Sequence, residues 1–236
     1  LLKTLQRIRA KYPKLVIQDC SSGGGRINYG MLPYFDEFWG SDDTDAKMRL
    51  FIQWGELNYF PAMAIAAHVS AERNHQTGRV TPIKFRLDVA MTGRLGMELQ
   101  PSQMSKADFA FAKRGIAAYK QIRDVVQLGD LYRLHSPYEG DGVASLMYVS
   151  NDKSRAAFFA YNYNYLFNQK IPSVQLGGLD PNRNYRIKEL TPWDEKRPCS
   201  LDGKVISGKT LMEVGLNLRS LINYNDASVA LELREE

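Results

Sequence analysis

The sequence is poor in cysteine and contains no long hydrophobic run. Its 236 residues include two cysteines, Cys20 and Cys199, too few for a disulfide framework, so the core has to hold the fold together. No apolar stretch approaches the roughly 18 residues that a membrane-spanning helix needs, and we expect no membrane partner. The net charge of +5 is a small excess of alternating bases over acids, which gives no reason to expect a nucleic-acid partner.

The chain also lacks the usual marks of a beginning. It starts Leu1-Leu2-Lys3, with no initiator methionine, no apolar signal segment and no cleavage site. Its first residues already have the spacing of a helix, which ends at Pro13. We therefore expect a piece of a longer protein, and the sequence leaves its compartment undefined.

Residues 1–126 alternate helical and strand-like segments, which is typical of an α/β fold. After Pro13 the apolar run Leu15–Ile17 predicts a buried parallel strand. Ser105 followed by Asp108 has the pattern of a helix cap. The later segments predict, in order, a helix over Gly30–Phe38, a helix over Asp45–Leu57, a strand over Phe60–Ala67 with a helix as the alternative, a loop over His68–Pro82, a strand over Leu87–Thr92 and a helix from Ser105 to about Gln127. The sequence therefore predicts four strand–helix units in this part of the chain.

Residues 127–236 have a different sequence pattern, in which short strand candidates are separated by turn signals such as Asp-Gly and Asp-Pro-Asn. Regular spacing of this kind predicts an antiparallel β-sandwich. The candidate strands are Ser145–Ser150, Arg155–Asn162, Tyr185–Leu190, Thr210–Val214 and Ser228–Leu233. We therefore expect an α/β domain followed by an all-β domain, with the boundary near residue 127.

The first chemical candidate is the run CSSGGGR at residues 20–26, directly after the strand expected there. In α/β proteins, ligands bind at the loops that follow the strands, and glycine lets the backbone approach a ligand closely. No Gly-Lys-Ser/Thr follows, which argues against a phosphate loop. A ligand-lining loop and a flexible turn both stay open. For Cys20, neighbouring Asp19 disfavours a nucleophilic thiolate, so we expect a pocket-lining or buried thiol.

The second candidate is the run WGSDDTD at residues 39–45, which places three carboxylates within four residues. Asp43 and Asp45 have a structural explanation, because acidic side chains stabilise the first turn of a helix. Asp42 lies outside that explanation. Like-charged neighbours raise the pKa of a carboxyl group, as a general acid near neutral pH requires. Asp42 is therefore a catalytic candidate, with a structural role as the alternative.

Three other features favour local structural roles. His68, Glu72 and His75 have no metal-site spacing and no accompanying ligands, so we expect no metal there. Trp193-Asp194 and the run Tyr161–Tyr165 are expected at the surface and strand edges. The tyrosine run leaves open an accessory platform for sugars.

Taken together, the two loops resemble those of the family 36 α-galactosidases of the glycoside hydrolases. The likeness is carried by residues 20–26 and 39–46, and continues through AHVS at 67–70, NHQ at 74–76, GRVTP at 78–82 and GRLGMEL at 93–99. It is dense over residues 19–99 and thinner beyond them. Several collinear motifs make it specific.

This resemblance implies a (β/α)₈ TIM barrel followed by a C-terminal β-sandwich. Residues 1–126 would be the C-terminal half of the barrel and residues 127–236 the sandwich. The implied activity is hydrolysis of terminal α-linked galactose from oligosaccharides with retention of configuration, without a cofactor. Asp42 would be the general acid/base, Cys20, Gly23 and Gly24 would line the galactose pocket, and Trp39 would lie beside it.

One departure from the family pattern concerns the second carboxylate that a retaining glycosidase needs. The family's nucleophile lies in a Lys-Trp-Asp motif upstream of the glycine loop, and the chain has no such motif there. Trp193-Asp194 follows Pro192 in the expected sandwich and is no substitute. We therefore expect the isolated chain to be inactive. Its strand at Leu15–Gln18 would be an unpaired edge that favours self-association, so homo-oligomers stay open.

Other functions remain as alternatives at this point. The chain could be a non-catalytic carbohydrate-binding or structural module, with the tyrosine-rich second half holding sugar. Related sequences also include transglycosylases and α-N-acetylgalactosaminidases, and the residues do not distinguish among these activities.

Overall fold

The computed structural model describes residues 1–236, which form five α-helices and twelve β-strands. The helices are α1 (Leu2–Lys11), α2 (Ala46–Glu56), α3 (Ile83–Ala90), α4 (Lys106–Leu128) and α5 (Gly208–Glu213). The strands are β1 (Gln18–Asp19), β2 (Glu37–Phe38), β3 (Ala66–Ser70), β4 (Arg94–Glu98), β5 (Asp130–His135), β6 (Val143–Val149), β7 (Arg155–Asn162), β8 (Ser173–Val174), β9 (Asn184–Glu189), β10 (Val205–Ser207), β11 (Leu216–Asn217) and β12 (Ala227–Glu235). None of the helices combines the length and apolar composition needed to span a bilayer.

The first four strands lie side by side in chain order and run in the same direction. β1 pairs in parallel with β2, and β3 pairs in parallel with β4. A single parallel bridge from Phe38 to Ile65 joins the two pairs. Because parallel strands end at the same edge, the loops after β1 and β2 emerge next to each other.

Two N-terminal predictions are wrong. Leu15–Ile17 forms no strand and the first two of its residues are exposed; the strand is Gln18–Asp19. The backbone here is held by side chains instead, since Arg9 donates to the carbonyl of Leu15 and Asp36 accepts from the amide of Ile17. The helix predicted over Gly30–Phe38 is only a 3₁₀ turn at Tyr29–Met31 followed by β2, because Pro33 cannot continue a helix.

Predictions for the middle of the α/β region have mixed outcomes. The helix over Asp45–Leu57 and the long helix after Ser105 are confirmed as α2 and α4, and each has its predicted cap. The strand predicted over Leu87–Thr92 is wrong, since this segment belongs mostly to α3. All eight residues of α3 are buried, and a helix buried on every side has no polar face to reveal its period. His68, expected in a loop, lies within β3.

The second half of the chain is built on one six-stranded antiparallel sheet with strand order β10-β9-β12-β7-β6-β5. β8 and β11 form a separate two-stranded sheet. Four of the five predicted strands lie in the large sheet, as β6, β7, β9 and β12. The fifth, Thr210–Val214, is wrong: Ser207 caps a helix there, because its hydroxyl accepts a hydrogen bond from the amide of Thr210.

The large sheet is covered on both faces. On one face, Tyr148 and Phe159 belong to the same apolar cluster as α3 and α4. On the other face, Met147 and Phe158 share a cluster with Leu211 of α5 and residues of β8 and β11. Neighbouring residues of β6 and β7 thus point into different cores, as the two-residue period of a strand requires.

A buried polar network joins α3 to this sheet region. Asp88 is fully buried and accepts hydrogen bonds from Lys84 (3.1 Å), Thr191 (2.6 Å) and Ser228 (2.6 Å). Lys84 also lies 3.4 Å from a carboxylate oxygen of Glu189. Every charge in the cluster is therefore compensated, which is the condition under which buried charges are tolerated.

Besides Asp88, Glu56 of helix α2 has a buried carboxyl group, which lies next to Gly40 in the segment that follows β2. A side chain added to Gly40 would meet the Glu56 carboxyl at 1.3 Å, so Glu56 occupies the space that glycine leaves. Neither carboxyl oxygen of Glu56 has a hydrogen-bond partner. Burial raises the pKa of Glu56 to about 7, against a smaller lowering effect of Arg49.

We predict that Asp88→Ala destabilises the protein by about 3–5 kcal/mol, because Lys84 then loses its principal buried counter-charge. Asp124→Ala is the matched control: Asp124 pairs with Arg155 while largely exposed, so its loss should cost less than about 1 kcal/mol. Urea unfolding measures both. Equal losses for the two variants would contradict the assigned importance of the network.

We predict that Glu56→Gln stabilises the protein at pH 8 but hardly at pH 5. The pKa of Glu56 is higher in the folded state, so folding retains a proton that the unfolded chain loses between about pH 4.5 and 7. The wild-type free energy of unfolding therefore falls across that window, by at most on the order of 3 kcal/mol, and glutamine escapes this loss. Thermal melts at both pH values check it, and a pH-independent difference would sink the prediction.

Candidate active site

The two loops singled out in the sequence meet at the carboxyl edge of β1 and β2. A Cβ atom on Gly23 would lie 2.8 Å from the Cα of Ser41, and one on Gly24 would lie 2.7 Å from the carbonyl oxygen of Gly40. Gly23 also has a φ of +76°, a conformation that residues with a side chain rarely adopt. Glycine is therefore required here for backbone-to-backbone contact, rather than for flexibility.

Cys20 lies at the start of the glycine loop with an exposed side chain. The alternative of a buried thiol is thus wrong. Asp19 behind it is buried and pairs with Arg26 at 3.3 Å. Arg26 also donates to the carbonyl oxygen of Cys20 at 2.7 Å, so one guanidinium closes the loop and compensates the carboxylate.

Asp42 is exposed and is not used to cap α2. Its Oδ1 accepts a hydrogen bond from the indole nitrogen of Trp39 at 3.1 Å. The helix N-terminus is served instead by Asp45, which accepts from the amide of Lys47, while Asp43 accepts from the amide of Asp45. As the spacing predicts, Asp43 and Asp45 serve the start of α2 and Asp42 does not.

Asp45 is a buried anchor rather than a second reactive acid. Burial alone would raise its pKa, but hydrogen bonds from Thr77 and Arg79 outweigh burial and lower the pKa below its usual value. Arg79 lies 2.6 Å from its Oδ2. An ionised carboxylate held from both sides has little freedom to exchange protons with a substrate.

The segment between β3 and α3 holds the acidic loop from the other side. Gln76 donates to the carbonyl oxygen of Asp42 at 2.7 Å and accepts from the amide of Thr44 at 3.0 Å. Asn74 donates to the hydroxyl of Thr44. Sequence reasoning missed these supporting roles, although both amides stand in the NHQ motif on which the family likeness partly rests.

Trp39 is buried among charged and aromatic neighbours. The guanidinium carbon of Arg49 lies 4.0 Å from the centre of its ring, and the ring of His68 lies 4.7 Å away. Burial lowers the pKa of His68, which favours the neutral imidazole in this contact. Arg49 was not a sequence candidate, because a single arginine on an amphipathic helix normally faces solvent.

The remaining sequence candidates lie in structural positions. No three potential metal ligands cluster anywhere in residues 1–236. Trp193 packs on Phe111 of α4 at 5.0 Å, and Asp194 accepts from the amide of Lys196. Tyr161, expected at a strand edge, is buried because β7 is central in its sheet. The tyrosine run therefore forms no continuous exposed platform.

The arrangement is suited to proton transfer at one carboxyl group. Asp42 is accessible, one of its oxygens is oriented by an indole N–H, and its backbone is fixed by Gln76 on one side and by contact with Gly23 on the other. A positioned carboxyl of this kind can give a proton to an oxygen and take one from water.

Two family models match the chain. Residues 1–129 match the model described as Melibiase, and residues 143–231 match the glycosyl hydrolase family 36 C-terminal domain. Among curated relatives, the probable α-galactosidase G of Aspergillus terreus is 36% identical over 98% of this chain. α-Galactosidase AgaA of Geobacillus stearothermophilus is 40% identical over 80% of it.

Solved structures agree with these matches. A variant of AgaA in complex with 1-deoxygalactonojirimycin superposes with a TM-score of 0.87 at 35% identity, covering 99% of this chain and 30% of that one. The galactosidase domain of AgaSK, an α-galactosidase–sucrose kinase, gives 0.88 at 33% identity, covering 99% and 31%. The chain spans 30% of the curated Aspergillus relative and 26% of curated AgaA. By sequence and by structure, the chain belongs to glycoside hydrolase family 36.

Proposed function

We propose that this chain is part of a retaining α-galactosidase that removes terminal α-linked galactose from oligosaccharides. The single observation that carries the proposal is the Asp42 carboxyl, accessible, free of helix capping and fixed beside the glycine loop. Residues 1–126 are then the C-terminal half of a (β/α)₈ barrel, which four parallel strands in chain order support. Residues 127–236 are the sandwich domain, supported by a large sheet with a second, two-stranded layer.

The substrate class follows from the family and from the solved relatives. Two AgaA variants that each resemble this chain at 36% identity are complexes with raffinose and with stachyose. In our proposal, Cys20, Gly23 and Gly24 line the pocket for the terminal galactose and Trp39 lies beside it. Backbone without side chains lets the ring of a sugar approach closely.

Asp42 acts as the general acid/base in this mechanism. It first protonates the glycosidic oxygen as the leaving sugar departs, and it then takes a proton from the water that releases galactose. The Trp39 hydrogen bond to Oδ1 restrains the carboxyl group, and in our proposal Oδ2 is the atom that exchanges the proton. The nucleophile, which must lie roughly 5–5.5 Å from Asp42, belongs to a segment outside these 236 residues.

We predict that Asp42→Ala in the complete enzyme lowers kcat/KM for raffinose by about 10²–10⁴-fold. An activated aryl galactoside should lose far less in the first step, because its leaving group needs no proton. Azide, which attacks without a base, should restore turnover and yield α-galactosyl azide. Asp43→Ala is the neighbouring control and should affect both substrates alike; equal losses for Asp42→Ala would make Asp42 structural.

We predict that the isolated 236-residue chain does not hydrolyse 4-nitrophenyl α-galactoside. The covalent intermediate needs a second carboxylate facing Asp42, and in our proposal that group lies elsewhere. The measurement is release of nitrophenolate by purified chain, with the complete enzyme as positive control. Sustained turnover by the chain alone would refute the assignment of the missing nucleophile.

A further inference from the structure

Arg49 is a buried cation directly beneath the loop that carries Asp42. It is the fourth residue of α2 and is 1% exposed. Its Nη2 donates to the carbonyl oxygen of Ser41 at 2.7 Å, and its guanidinium lies 4.0 Å from the centre of the Trp39 ring. One side chain therefore contacts both the peptide that precedes Asp42 and the indole that donates to the Asp42 carboxyl.

We propose that Arg49 is a positioning residue for the general acid/base, acting through Ser41 and Trp39 without touching substrate. This inference rests on the proposed function of Asp42. Gln76 and Gly23 also hold the loop, but their contacts are with its backbone. The Arg49–Trp39 contact leads to the side-chain oxygen, so it controls the direction of the carboxyl rather than the path of the chain.

The energetic cost of Arg49 favours such a role. Its Nε and Nη1 have no hydrogen-bond acceptor although they are buried, and Glu56, the carboxylate that acts on it most strongly, lies beyond ion-pairing distance. A buried guanidinium without a directly bonded carboxylate is costly to a fold. The direct contacts of this charge are with the carbonyl of Ser41 and the ring of Trp39, so these are the groups that it can position.

The shape of the guanidinium matters as much as its charge. A planar guanidinium stacks on an aromatic ring and still directs an N–H to a carbonyl oxygen. Lysine can reach the carbonyl of Ser41 but cannot stack on Trp39 in the same way. Arg49→Lys should therefore retain part of the function, whereas Arg49→Met should lose it.

The test compares two substrates in the complete enzyme. Arg49→Met should lower kcat/KM for raffinose about 10–100-fold. The loss for 4-nitrophenyl α-galactoside should be less than about a tenth of that. The kcat/KM of Arg49→Lys for raffinose should lie between those of wild type and Arg49→Met. Lys47→Met is the matched control on the same helix, because the Lys47 side chain pairs with Asp226 at 2.6 Å and not with a residue of the acidic loop. It should change both substrates equally and slightly.

A second background separates this inference from the proposed function. When Asp42 is already alanine, Arg49→Met should cause no further loss, because residues that act through one group are not additive. A further loss there, or equal losses on both substrates for both Arg49 variants, would overturn the positioning role. If Asp42→Ala lowers kcat/KM equally for both substrates, the proposed function of Asp42 is wrong, whatever Arg49 does. If Arg49→Met does not fold, the test uses Arg49→Lys and Trp39→Phe, which lacks the indole donor. Both must then lose more kcat/KM for raffinose than for 4-nitrophenyl α-galactoside.

Discussion

The site depends on the contact between two backbones that follow neighbouring parallel strands. Any residue larger than glycine at position 23 would collide with Ser41, so this contact fixes how near the glycine loop lies to the Asp42 carboxyl. Parallel pairing of β1 with β2 brings the loops to one edge, but it sets their separation only coarsely. The absence of a Cβ atom at Gly23 sets the separation of the two loops finely.

Around this contact, the acidic loop is held by polar groups from three different elements. Arg49 reaches it from α2, Gln76 from the segment before α3, and Trp39 from the loop itself. Each contact restrains a different atom: the carbonyl of Ser41, the carbonyl of Asp42 and its carboxyl oxygen. The carboxyl can thus be exposed to solvent and still have a defined direction, which is the combination that proton transfer requires.

The positions of the two loops were predictable from the sequence, whereas the residues that support them were not. The motifs placed both loops after strands, and the spacing of acids separated Asp42 from the capping residue Asp45, because caps and strand ends are local properties. Arg49 and Gln76 were missed because their partners are determined by packing of separate elements. In the fold, α3 was mistaken for a strand since burial on all sides removes the periodic signal. The strand at Leu15–Ile17 was wrong because Arg9 and Asp36 take up its backbone groups.

The Asp88 cluster has a consequence for the order in which this chain acquires its structure. Thr191 follows Asp88 by 103 residues and Ser228 follows it by 140. Until those two residues are in place, Lys84 of the same helix is the partner that remains for the Asp88 carboxylate. Completion of the cluster therefore depends on contacts far apart in the sequence, and such contacts form slowly because the intervening chain must first be closed into a loop.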